Sequence, residues 1–559
     1  MVWAHWGSRQ LQEELSSFED GLYQQVMDTV PPLMGEDFDP ISLERKIHLV
    51  ELIKSFAPSD YFAKRARMER CLDLLPPPAL AELVRDVATA LDVARPAPNF
   101  EDRKRWLLSK RWSDERFARA FLAHFDLPNH FLPTEKVERA DALHIDPLSP
   151  EHPELVAPSP IKPLKDYQYA VAQKALKHLA TPRSRFIVQM PTGSGKTRTT
   201  MEVIAHHLRD AAPGSVVVWL AHSQELCEQA FQCFLEVWHH MANKPLTAVR
   251  AWGSHPDPVN EATSMFVVGG FQKIHSRLTK APEAWSWLAE RCTLVVVDEA
   301  HKSVAPTYKA IIRELLGNGA RLMGLTATPG RANDDETEEM AEFYFRTIVE
   351  IDVPEGGSVM RMLKQREVLA RAYNIPIEVP ISFKLSPAEK KRLEAALDFP
   401  KGFLARVANE HLRNVEIIQR VRASVAEGRR VLLFACNVAH SRFLTALLHF
   451  FGIDAVHVDG GTAKPRREDA IEGFRSGRYP VLCNFGVLTT GFDAPSTDEV
   501  FIARPTNSVV LYSQMVGRGL RGPAIGGTAS CRVVDVRDNI LGFGDQDRVY
   551  TWFADHWDN

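Results

Sequence analysis

Apolar positions along the chain change period twice, and each change marks a different kind of structure. Up to residue 143 they recur at intervals of three and four. The stretch "ISLERKIHLVELIKSF" sets Ile41, Leu43, Ile47, Val50 and Leu52 near a 3.6-residue repeat, and "SDERFARAFLAHF" opens on Ser113 as an N-cap followed by two acids. A helical domain is predicted over 1–143. Residues 144–163 break the pattern. Their "IDPLSPEHPELVAPSPIKP" holds six prolines, which neither continue a helix nor pair in a central strand, so an extended linker is predicted.

From Leu164 onward, short and wholly apolar runs alternate with helical ones. "RFIVQM", "SVVVWLAH", "MFVVGG", "TLVVVDEA" and "RLMGLTATP" predict a parallel sheet covered on both faces, in a domain spanning 164–345. A second series, "RRVLLFACN", "IDAVHVDG", "YPVLCNFG", "DEVFIAR" and "SCRVVDV", predicts another over 426–559. Residues 346–425 read as a less regular connecting segment.

Composition narrows the class. The 559 residues are 45% hydrophobic and 25% charged, which suits a soluble protein with several buried cores. A net charge of -4 excludes a polycation that binds nucleic acid by bulk charge, so any such contact needs a local groove. The seven cysteines are scattered without Cys-x-x-Cys spacing and read as reduced thiols of a cytoplasmic protein. Neither a secretory signal nor a membrane span is expected. The pairs His206-His207 and His239-His240 point to different helix faces, so no separate metal cluster is expected.

Two strings carry candidate chemistry. "QMPTGSGKTRTT" (189–200) lies between an apolar strand and a helix. Gly193 and Gly195 let backbone N–H groups turn toward phosphate oxygens, with Thr192 and Ser194 completing the loop. Lys196 is placed to reach the terminal phosphates and Thr197 to put its hydroxyl on Mg²⁺. Met190 occupies the position where the loop pattern asks for its first glycine. A hundred residues on, "LVVVDEAH" ends an apolar strand at two adjacent carboxylates, which is costly unless they face a cation or water. Asp298 suits Mg²⁺, and Glu299 suits polarising a water.

"PTGSGKT", "DEAH" and "GLTATPGR", in this order, resemble the Walker A, Walker B and third motifs of superfamily-two helicases and translocases. That superfamily commonly opens its phosphate loop with a residue other than glycine, which accommodates Met190. The resemblance implies two tandem RecA-like parallel-sheet domains preceded by a mostly α-helical N-terminal domain, and a nucleic-acid-dependent ATPase using ATP and Mg²⁺. By the same resemblance "LKDYQ" supplies Gln168 to the adenine. "HSQELCEQ" puts Ser223 and Gln224 where the superfamily has the Thr-Arg of Pro-Thr-Arg-Glu-Leu-Ala, and "FVVGGFQKI" puts Gln272 at a second nucleic-acid contact. "FGVLTTGFDAP" and "SQMVGRGLR" resemble the fifth and sixth motifs. They assign Gly491 and Asp493 to ATP and Thr489 and Thr490 to nucleic acid. Gln514, Gly517, Arg518 and Arg521 match Gln-x-x-Gly-Arg-x-x-Arg, and residues 518 and 521 on one helix face would cross the interdomain cleft to ATP. His301, Thr326, Thr328 and Gln514 fall at positions that couple the nucleotide to nucleic acid. The stretch "HVDGGTAKPRREDAIEGFRSG", with Asp459, Gly460 and Arg467, resembles the segment between the fourth and fifth motifs.

"DEAH", "TAT" and "QMVGRGLR" look more like the branch holding excision-repair helicases and type I and III restriction motor subunits than like the RNA-directed DEAD-box branch. The implied partner is DNA rather than RNA, in repair or anti-phage defence. An ATP-gated nucleic-acid clamp and an RNA helicase are the alternatives. In the N-terminal region, "FAKRARMER" and "DRKRWLLSKRW" mix basic residues with Phe62, Trp106 and Trp112. They suit base stacking, a solvated face with aromatics packed inward, or docking on a protein partner.

Overall fold

Strands with no polar face need cover on both sides, and the first sheet is built almost wholly of them. The computed structural model describes residues 2–133 (except 20, 36 and 59), 141–146, 163–330, 334–379 (except 355 and 356), 383, 386–389, 399–488 and 497–536 (except 507). Eight strands form this sheet: β1 (Ala142–Ile145), β2 (Arg185–Gln189), β3 (Val216–Ala221), β4 (Leu246–Ala251), β5 (Ser264–Gly270), β6 (Cys292–Asp298), β7 (Arg321–Thr326) and β8 (Ile348–Val349). Their order is β1-β4-β5-β3-β6-β7-β2-β8. Every residue of β3 and β4 is buried. Helices Asp166–Ala180, Lys196–Asp210 and Gln224–Met241 cover one face, and Phe271–Lys280, Pro282–Arg291 and Pro306–Leu315 the other. Because β6, β7 and β2 are parallel neighbours, the turns at their C-terminal ends share one edge of the sheet. Those turns begin at Glu299, Ala327 and Met190.

The second sheet has six strands, all paired in parallel: β9 (Arg371–Ile377), β10 (Val431–Phe434), β11 (Ala455–Val458), β12 (Val481–Asn484), β13 (Glu499–Ile502) and β14 (Ser530–Val536), in the order β11-β12-β10-β13-β14-β9. Two strands lie where the sequence pattern gave none. β9 falls in the segment read as less regular. It is an edge strand, which is where Pro376 costs no ladder hydrogen bond. β1 is four residues long and pairs antiparallel with β4, closing the edge of the first sheet.

The N-terminal region is helical, with three departures from the sequence pattern. Arg45 is extended, so a 3-10 turn (Pro40–Glu44) is separated from helix Lys46–Phe56. A single repeat therefore does not run through it. Leu49, Val50, Leu52 and Ile53 face inward, while Ile41 and Ile47 are 71% and 69% exposed. Helix Glu115–His124 is capped by Asp114, whose side chain accepts from the Arg116 N–H, and not by Ser113. Phe62 and Trp112 are buried in an aromatic cluster with Trp3, Tyr61, Phe121 and Phe131, which rules out base stacking by those two rings. Trp106 is partly buried, with the Lys110 ammonium 4.3 Å above its ring.

This helical unit shares a core with the second sheet's layer. Helix Leu22–Met34 lies on His411–Ala426 and helix Lys46–Phe56 on Val438–Phe450, with the Phe56 and Phe443 rings 5.7 Å apart. Continuous apolar packing of this kind makes the two one mechanical body. Linker residues 147–162 lie outside the described residues. Among the described residues no helix is long and apolar enough to cross a membrane.

Candidate active site

The phosphate-binding loop is bent by its two glycines. Gly193 and Gly195 sit at φ 85° and 86°, in the left-handed region that side chains rarely adopt, and Gly195 caps helix Lys196–Asp210. A Cβ on Gly195 would also fall 2.2 Å from Gln168 Nε2. Gln168, assigned by resemblance to adenine, lies buried under the loop. Its Oε1 accepts from the Lys165 N–H at 2.9 Å and its Nε2 donates to the Ser194 carbonyl at 3.2 Å. The Tyr167 hydroxyl donates to the same carbonyl at 2.7 Å, and the Ser194 hydroxyl donates to the Pro191 carbonyl. The loop is thus braced from below, with Lys196 and Thr197 opening the helix above it.

Met190 is fully buried in the core beneath the loop, and its N–H donates to the Thr326 carbonyl. The position lies on the core side of the turn, where a side chain packs. Met190→Gly is therefore expected to lower unfolding free energy by about 2–5 kcal/mol, as for other deletions of a buried methionine side chain. Urea denaturation checks this, and an unchanged midpoint would contradict it.

The carboxylates stand at the end of β6. Asp298 is buried, and one of its oxygens accepts from the Glu299 N–H at 3.0 Å. Burial and the adjacent Glu299 push the Asp298 carboxyl above its usual range, against the pull of Lys196. Burial acts on Glu299 in the same sense, but the Lys196 and Lys302 charges overcome it and hold this carboxyl below its usual range. Glu299 has left-handed backbone, φ 53° and ψ 55°, a conformation that costs a non-glycine residue about 1–2 kcal/mol. His301 Nδ1 lies 3.4 Å from both Glu299 Oε2 and Thr326 Oγ1, and Thr326 in turn accepts from the Thr328 N–H and donates to its carbonyl. Burial pushes the His301 imidazole down to about 3, so it is neutral at physiological pH.

The second sheet's layer supplies the opposite wall. Arg518 is half-buried, with Glu299 and Asp298 as its opposing charges. Burial lowers its guanidinium to about 10, and the carboxylates keep it charged. Arg521 Cγ would lie 3.5 Å from a Cβ on Gly193, and a Cβ on Gly517 would strike Thr192 at 2.5 Å. The backbones of the two layers therefore touch at the phosphate loop. The arginines do not share a helix. Helix Val509–Val516 ends one residue before Gly517, and Arg521 forms an isolated bridge with Leu369. Past the helix end, Gly519 packs closely against Cys531 and Val500, where a Cβ would clash. Gln514 stays on the helix, and its Nε2 is buried without a hydrogen-bond partner among the described residues.

Residues 161–331, which hold the loop and both carboxylates, match the family described as the type III restriction enzyme, res subunit. Residues 412–522, which hold Gln514, Arg518 and Arg521, match the helicase conserved C-terminal domain. The chain belongs to superfamily two of the helicases and translocases. It is 27% identical over 338 residues to a 51.5 kDa protein of a Lactococcus phage, covering 60% of this chain and 62% of that one. It is 26% identical over 371 residues to IRC3 of Saccharomyces cerevisiae, a protein classed with ATP-dependent helicases, covering 64% and 49%. The chain thus spans about half to three-fifths of the length of these relatives. Proteins named as RNA helicases also match. Among solved structures, the chain is similar to a DNA-bound type ISP restriction-modification enzyme, LlaBIII, at 16% identity and a TM-score of 0.47, covering 71% of this chain and 30% of that one.

In this superfamily-two chain the elements assigned to nucleic acid sit on the same edge of the first sheet as the nucleotide loop. Ser223 caps helix Gln224–Met241 and accepts from the Leu226 N–H, and Gln224 is exposed against Gly253. Gln272 is exposed on the first turn of helix Phe271–Lys280. Arg467 pairs with Glu225 across the two domains while donating to the Asp459 and Thr462 carbonyls. Thr489, Thr490, Gly491 and Asp493 lie outside the described residues. Two residues at the site escaped the sequence pattern, His222 and Lys302, whose side chains meet at 2.8 Å. Eighty positions separate them, and only the pairing of β3 with β6 brings them together.

Proposed function

We propose that the chain is an ATP-driven motor that moves on DNA. The observation that carries this reading is Arg518, contributed by the second domain and facing the charges of Asp298 and Glu299 of the first. A hydrolytic site divided in this way works only when both domains hold the nucleotide, so domain motion and nucleotide state are coupled. Lys196 and the loop N–H groups bind the phosphates, Glu299 orients the attacking water, and Arg518 and Arg521 stabilise charge on the transferred phosphoryl group. Thr197 and Asp298 fit Mg²⁺, because both offer hard oxygen ligands and the buried Asp298 carboxylate is under-compensated. When bound, the ion offsets charge between the phosphates. Thr489, Thr490, Ser223 and Gln272 are assigned to the nucleic-acid backbone, and Gly491 and Asp493 to ATP.

The choice of DNA is supported by "DEAH" and "QMVGRGLR" in place of the DEAD-box strings, and by the restriction-subunit family that the first domain matches. That family and the phage relative also support a role in repair or defence against foreign DNA. Steady-state ATPase rates with matched DNA and RNA at one salt concentration test the reading. DNA is expected to raise kcat more than RNA does, and Lys196→Ala to abolish the stimulated rate. Stimulation by RNA alone would make the protein an RNA helicase.

A further inference from the structure

We propose that His222 and Lys302 are positioning residues that link the nucleic-acid-facing turn at Ser223 to the carboxylate of Glu299. The link rests on the motor reading above. Lys302 closes the short turn that follows Glu299, where its N–H donates to the Glu299 carbonyl at 2.9 Å. His222 follows β3 and immediately precedes Ser223, the cap of helix Gln224–Met241. Between these two turns, Lys302 Nζ lies 2.8 Å from His222 Nε2.

The chemistry of the pair fixes its protonation. An ammonium only donates, so Nε2 must accept. Burial and the Lys302 charge push His222 down to about 4, so the ring is neutral and its one proton sits on Nδ1. That Nδ1–H is buried without a hydrogen-bond partner among the described residues. A fold rarely leaves such a donor unsatisfied, and this one adjoins the residue assigned to the nucleic-acid backbone. The superfamily pattern has proline at this position, which carries no side-chain donor or acceptor. When a phosphodiester oxygen engages the Ser223 turn, His222 Nδ1–H gains an acceptor. Donating there makes Nε2 a stronger acceptor for Lys302. Lys302 also closes the turn that holds Glu299 in its left-handed conformation, so occupancy of the track reaches the hydrolytic carboxylate through two side chains.

The test compares wild type with His222→Ala, Lys302→Met and the conservative His222→Gln and Lys302→Arg, using duplex DNA as the probe. Measured are kcat with and without DNA, the KM for ATP, and Tm. His222→Ala and Lys302→Met are expected to cut the ratio of stimulated to basal kcat by about tenfold, as loss of an outer orienting partner does. The KM for ATP and Tm should stay near wild type, and the conservative variants should recover most of the ratio. A wild-type ratio in His222→Ala overturns the link, as does an equal loss in all four variants accompanied by a fall in Tm. Absence of stimulation in wild type overturns the motor reading and the link together.

Discussion

Arg518→Ala is expected to lower kcat for ATP hydrolysis at saturating DNA by about 10³-fold or more, equivalent to about 4 kcal/mol of transition-state stabilisation. The guanidinium is a second-domain charge that acts on Asp298 and Glu299, and its partial burial limits screening by water. Binding of ATP should weaken far less, because Lys196 and the loop N–H groups remain. Lys at this position is expected to recover little, since a point charge does not reproduce the planar fork of arginine. Steady-state kinetics with an independent ATP-binding titration separates the two effects. A kcat within tenfold of wild type would mean that Arg518 only packs the interface.

Glu299→Gln should give the second large effect, with turnover falling about 10²–10⁴-fold while ATP still binds. The amide keeps the shape of the side chain and loses its ability to accept a proton. The fold invests in this carboxylate: it keeps a non-glycine residue at φ 53° and sets it beside Lys196 and Lys302, whose charges overcome burial and hold it ionised. Single-turnover hydrolysis beside equilibrium binding of a fluorescent ATP analogue measures both quantities. Loss of binding in parallel with loss of turnover would place Glu299 in the nucleotide cradle and not in the chemical step.

What the sequence disclosed follows from how local each feature is. Gly193 and Gly195 were legible because a strand-to-helix turn around phosphate needs positive φ at those positions, and the parallel sheets were legible because their strands are apolar throughout. β1 and β9 were not. Each is an edge strand whose existence depends on its partner, β4 or β14, far away in sequence. Arg521 was expected on a helix with Arg518. The chain leaves that helix at Val516, and the following Gly519 packs against Cys531, a contact no local pattern encodes. Phe62 and Trp112 could be read as stacking platforms or as core, and only the packing of seven N-terminal helices around them decides for core. His222 and Lys302 show the limit most clearly, since nothing near either residue announces the other.

In the motor proposed above, closing two domains on ATP moves the protein along a duplex. Displacement of a triplex-forming third strand from duplex DNA tests it most directly, because a clamp that binds and releases in place leaves the third strand where it is. Strand release is predicted to require hydrolysable ATP, to lag in proportion to the distance between entry point and triplex, and to vanish in Glu299→Gln. DNA-stimulated hydrolysis that leaves the third strand bound would contradict the claim.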